Sequence, residues 1–250
     1  MTTPSQQKTC PYCVQPIQGK PEAEHVFPSS WYPDSTEKTQ RLLAPSCSKC
    51  NRALGKIEER LLRNWGLSVS NTAVASRGVP DRVLRSLDPT RGRTAQDSLM
   101  RAKSRKSVKA RARFFSPEAV GAFPGLQATD LTWGKGPSGL WVPGAPGLTI
   151  DSKDVEAFTA KLVRGLYYIG SHGTVLPKSV RIRTFVPGRA SWPELQRFML
   201  DNKMVTRGVP PGFLYWVGFA EGNPLLSFWI FSIWGRILLG ASTDTDEQET

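Results

Sequence analysis

Four cysteines fall in two short pairs, Cys10-Pro11-Tyr12-Cys13 and Cys47-Ser48-Lys49-Cys50. A Cys-x-x-Cys turn aims two sulfurs at one point, and two such turns supply the tetrahedral set that a structural zinc ion takes. Residues 1–9 are polar and show no export signal, so metal rather than disulfides is the expectation for these thiols. A zinc ion with four thiolates has no open position; its work is to staple a segment too small to fold on its own core. Between the pairs stand Glu24 and His25, and Asn51 follows the last cysteine directly. A carboxylate and a carboxamide are hard oxygen donors suited to Mg²⁺ or Mn²⁺. An imidazole that is neutral at pH 7 can take a proton from water. A strand bearing Glu24-His25, packed on a helix that begins near Asn51, would bring Glu24 and Asn51 together.

The elements that must position these residues are legible in outline. Glu24-His25-Val26-Phe27 reads as a short extended piece ended by Pro28, and Leu42-Leu43-Ala44 as a second. Beyond Asn51, the residues Leu54, Ile57, Leu61 and Leu62 share one helical stripe, with Gly66 as the stop. The order is knuckle, strand, loop, strand, knuckle, helix: a ββα unit with zinc at its base.

That order, Cys-x-x-Cys, Glu-His-x-x-Pro, Cys-x-x-Cys-Asn over residues 10–62, resembles the HNH, or ββα-metal, nuclease family. The resemblance implies His25 as general base and Glu24 with Asn51 as ligands of one catalytic divalent ion, Mg²⁺ or Mn²⁺. It also implies cleavage of nucleic acid, DNA being the first choice, to 5′-phosphate and 3′-hydroxyl ends. The chain departs from the family's pattern at two places. Glu24 stands where Asp is common, and the middle Asn falls near Leu42, with Gln40 as a stand-in.

The net charge is +12, and residues 66–113 hold twelve cations against three acids. A local cationic stripe is what a polyanion-binding chain needs. Arg101, Lys103, Arg105, Lys106, Lys109, Arg111 and Arg113 form its densest part, an exposed helix or a disordered arm. Arg52 and Lys56, beside the cysteines, are further candidates for phosphate contact. His172, in a loop after a helix, reads as a surface residue.

The fold class expected is α+β. Residues 1–8 read as a loose tail, 9–66 as the zinc-stapled ββα module, 67–113 as a basic linker or helical arm, and 241–250 as an acidic disordered tail. Residues 114–240 read as a second α+β unit with an antiparallel sheet. Within it, residues 131–142 suggest a Gly-rich hairpin. A helix spans 151–169 with Asp151 or Ser152 as cap, and a strand spans 180–186 with Arg181 and Arg183 opposite Ile182 and Phe185. Ser191 caps a further helix, and strands 213–220 and 225–234 pair across Glu221-Gly222-Asn223. The apolar run from Pro224 to Gly240 reads as buried strands rather than a membrane span, because it is short and holds Arg236. A cytoplasmic location without membrane contact is expected. Two rival functions stand beside the nuclease. One is a non-catalytic zinc module that binds nucleic acid through residues 101–113. The other is a scaffold that meets a protein partner through Trp216, Trp229 and Trp234.

Overall fold

The computed structural model describes residues 8–36, 39–115, 132–135, 141–148, 151–187 and 191–245. For residues 108–115, 132–135 and 141–148 it describes the backbone alone. The fold mixes helices with antiparallel sheets.

The first cysteine pair sits on a tight hairpin of β1 (Thr9–Cys10) and β2 (Gln15–Pro16), closed by a bond from Val14 N to Cys10 O. Strand β3 (Glu22–His25) pairs antiparallel with β4 (Leu43–Ser46), Glu24 opposite Ala44 and His25 opposite Leu43. Helix α1 (Ser48–Trp65) follows at once and ends at Gly66. It starts three residues before Asn51 because Cys47 is its cap: the Cys47 sulfur accepts from Cys50 N. Helix α2 (Val79–Ser86) then clamps the loop after β3, where Arg82 bonds Asp34 and the backbone oxygens of Ser30 and Tyr32. Helix α3 (Ala95–Arg111) carries the densest cations and runs into β5 (Ala112–Phe115). Strand β7 (Trp141–Leu148) lies between β5 and β6 (Thr132–Lys135), so the expected Gly-rich hairpin is present as β6–β7.

Helix α4 (Ser152–Gly170) is capped by the Asp151 carboxylate, as its sequence predicts. After it come β8 (Val180–Phe185), α5 (Trp192–Asp201), β9 (Val205–Val209), β10 (Phe213–Ala220), β11 (Asn223–Ile233) and β12 (Ile237–Thr245). These strands form one antiparallel sheet in the order β8-β12-β11-β10-β9. The apolar run therefore fills the sheet centre, and no helix among the described residues is long and apolar enough to cross a membrane.

Three local expectations are corrected. Phe185 is two residues from Arg183, so strand alternation puts it with the arginines; it is 37% exposed and packs on Phe228. Ser191 stands at the start of α5 but its hydroxyl makes no capping bond. Strand β12 runs through Thr245, taking in the first residues of the stretch read as a tail, and residues 246–250 lie outside the described residues.

One core spans the cysteine segment and the C-terminal sheet. Trp31, from the loop after β3, stacks on Phe158 of α4 at 4.7 Å and lies 5.3 Å from Trp234, whose Nε1 donates to Trp31 O. Phe27 stacks on Phe213 at 4.5 Å. Trp229 and Trp234 are thus core residues, where an aromatic strand face usually ends up. Gly165 lets α4 close on β3: a Cβ there would meet Val26 at 2.8 Å and the Tyr12 hydroxyl at 3.2 Å. Trp31→Ala should lower the unfolding free energy by about 3–5 kcal/mol, read by urea denaturation. Far-UV dichroism and Trp fluorescence should still report a single transition, because the core is shared. Two separate transitions would contradict that sharing.

Candidate metal centre and the buried charges beside it

The β1–β2 turn and the start of α1 bring the four cysteine sulfurs within 4.8 Å of one another. Cys13 and Cys47 Sγ are 3.9 Å apart. Sulfurs bound at about 2.3 Å around one tetrahedral ion lie about 3.8 Å apart, so the donor set fits zinc. Burial pushes the Cys10 thiol up, but backbone hydrogen bonds from Cys47, Cys13 and Tyr12 outweigh it and bring the pKa down to about 7. Cys50 is raised first by burial and then by the Cys47 and Cys13 thiols, and Cys13 by burial and the Cys10 thiol against a lowering bond with Cys50. Crowded thiolates repel one another, and a divalent cation removes that repulsion by holding all four deprotonated.

Beside this cluster, the structure sorts the candidate residues differently from the sequence. Asn51 is placed in the first turn of α1 by Asn51 N bonding Cys47 O at 3.0 Å. Its carboxamide Nδ2 donates to the Glu22 carboxylate, not to Glu24. Glu24 is 6% exposed and its Oε1 accepts from Lys161 Nζ at 2.6 Å. The same ammonium reaches Glu58 on α1 and the backbone oxygen of His25 at 2.6 Å. The expected Glu24–Asn51 pair is thus replaced by a Glu22–Asn51 pair and a Glu24–Lys161–Glu58 triad. Burial and the neighbouring Glu24 raise the Glu58 carboxyl, against the lowering effect of Lys161.

Strand alternation turns His25 to the opposite side of β3 from Glu22 and Glu24. Its ring is half-buried, and Nδ1 is shielded from solvent without a hydrogen-bond partner. Burial lowers its pKa below the usual 6.5, and Arg41 lowers it further against the opposing pull of Glu24. Arg41 lies 5.0 Å over the Tyr32 ring. The basic candidates divide. Arg52, Lys56, Lys103, Arg105 and Lys106 are exposed. Arg101 is engaged by Asp97 at 3.0 Å and by Arg85 O at 2.7 Å. The side chains of Lys109, Arg111 and Arg113 lie outside the described residues. His172 is exposed at a turn with φ 55°, as its loop position suggests.

Lys161 and Glu22 escaped the sequence reading. The signal for Lys161 was its place on the buried stripe of α4, three residues after Phe158 and one before Leu162. A cation in an apolar stripe calls for a buried counter-charge. The signal for Glu22 was its period-two spacing from Glu24. No family model matches the chain, and neither a curated protein nor a solved structure does.

A neutral His25 in the folded state has a stability consequence. The folded pKa lies below the unfolded one, so this contribution is complete above the unfolded value and is lost as pH falls through the folded value. Proton-detected NMR titration of the imidazole should place the His25 midpoint below 6.5. A midpoint above 6.5 would contradict the surroundings described.

Proposed function

We propose that the zinc-stapled segment hydrolyses nucleic-acid phosphodiester bonds, DNA being the first substrate to test, with His25 taking the proton of the attacking water. The observation that carries this is the state of His25: a half-buried imidazole whose Nδ1 is unpartnered, disfavoured as a cation, on a hairpin tied to the cysteine cluster. The order of knuckle, Glu-His strand and Cys-Cys-Asn helix start, which resembles HNH nucleases, supports the same reading. Arg41 contributes a positive charge near the ring and is suited to hold a phosphate oxygen. Water oxygen bonds to phosphorus as the 3′ oxygen leaves, and the proton of the water passes to His25.

The divalent ion implied by the resemblance does not fit Glu24 and Asn51 as a pair, because Glu24 already carries the Lys161 ammonium. Glu22 and Asn51 fit better: their carboxylate and carboxamide are in contact and half-exposed. A Mg²⁺ or Mn²⁺ ion held by these two would neutralise a phosphate on the face of β3 away from His25, so it would serve nucleic-acid binding rather than the attacking water.

A second function is favoured by two placements: a zinc-stapled module that binds nucleic acid without cutting it. Glu22 and Asn51 lie on the other side of β3 from His25, and Glu24 is closed by a lysine. Exposed Lys103, Arg105 and Lys106 on α3, with Arg52 and Lys56 on α1, would then contact phosphates.

Cleavage of single-stranded, duplex and branched DNA and RNA, with Mg²⁺, Mn²⁺ or chelator, separates the two. Wild type should leave 5′-phosphate ends, and His25→Ala should cut at least about 10²-fold more slowly while keeping its zinc and its affinity for the same nucleic acid. Near wild-type turnover in His25→Ala would remove the base assignment. Binding without cutting under every condition would leave the non-catalytic module.

A further inference from the structure

Lys161 lies on α4 with a side chain that has no exposed surface. Phe158 and Leu162 on the same helix are fully buried. Its ammonium makes three bonds: to Glu24 Oε1, to the His25 backbone oxygen and to Glu58. An ammonium has three protons, so its donor capacity is filled. The three oxygens come from two elements of the cysteine segment, β3 and α1, while the cation comes from the C-terminal helix. Two carboxylates and a backbone carbonyl are also the donor set that a hard divalent cation takes.

We propose that Lys161 is a resident counter-ion in a hard-cation socket, so that the native chain takes no divalent ion at Glu24 and Glu58, and removal of the ammonium opens a site for one. A buried charge is kept only where partners surround it. Taking the ammonium away leaves two carboxylates facing each other in a dry pocket, relieved either by a shared proton or by a hard cation, and the bound-ion count separates the two. The socket also sets β3 in place, because one of its oxygens belongs to the His25 peptide. A solvent metal would make that placement depend on ion concentration; a lysine makes it part of the fold. The proposal stands apart from the hydrolytic reading and is tested without measuring cleavage.

The test uses the zinc-loaded full chain as wild type, Glu24→Gln, Lys161→Ala and Lys161→Ala/Glu24→Gln. Each is followed by calorimetry with and without millimolar Mn²⁺, and bound Mn²⁺ is counted by electron paramagnetic resonance. Mn²⁺ competes poorly with zinc for thiolates, so the cysteine cluster does not confuse the count. Lys161→Ala should melt roughly 10 °C below wild type. Mn²⁺ should raise its midpoint by several degrees and add one bound ion per chain, and both effects should vanish in the double variant. Glu24→Gln should leave the Mn²⁺ count of wild type unchanged. Lys161→Gln keeps much of the stem volume and serves with the same expectations where the alanine variant does not fold. The proposal is overturned if lysine-free chains bind no additional Mn²⁺. It is also overturned if Glu24→Gln removes an ion from wild type, since the metal would then displace the lysine.

Discussion

Four sulfurs drawn from two turns more than thirty residues apart must meet at one point, and much of the N-terminal fold follows from that requirement. The strands here are two and four residues long, too short to hold a sheet by their ladders alone. With the sulfurs joined, the β1–β2 turn is fixed to the cap of α1, and the β3–β4 hairpin between them has both flanks tied. Cys47 caps α1 and its sulfur is also one of the four positioned to bind an ion, so the metal site and the first turn of α1 share one residue. Asn51, a turn later, inherits its position from that cap.

The second constraint is a charge. Lys161 arrives from α4 with no water around it and meets Glu24, Glu58 and the His25 carbonyl. It joins the cysteine segment to the C-terminal sheet at the same place where Tyr12 and Val26 close on Gly165. Arg60 and Asp154 add a two-bond clasp between α1 and α4 nearby, at 2.7 and 2.5 Å. Around these polar ties lie Trp31, Phe158 and Trp234 in the shared core. The strand bearing His25 is therefore held on one flank by sulfur and on the other by a buried ammonium.

Local grammar made much of this legible before coordinates. Cysteine spacing, the stripe of α1, the Asp151 cap and the β10–β11 turn at Gly222 each depend on neighbours in sequence, and each reappears in the structure. What stayed hidden depends on partners far along the chain. Nothing near Glu24 announces a lysine 137 residues later, and so the carboxylate reads as a free ligand. Glu22 has the same chemistry two residues earlier, and only the packing of β3 on α1 decides that Asn51 bonds to it. Arg101 reads as one more cation in a basic run until Asp97 and the end of α2 are seen to hold it. The shared core was hidden for the same reason: a composition break between 67 and 113 suggests two units, while Trp31 and Phe27 pack across it.

The claim beneath all of this is that one metal ion, bound by sulfur alone, fixes the segment that carries His25. X-ray absorption at the zinc edge of the purified chain tests it most directly. One zinc per chain with four sulfur neighbours at about 2.3 Å is the result the structure predicts. A shell containing nitrogen or oxygen, or a folded chain with no zinc and four free thiols, would contradict it.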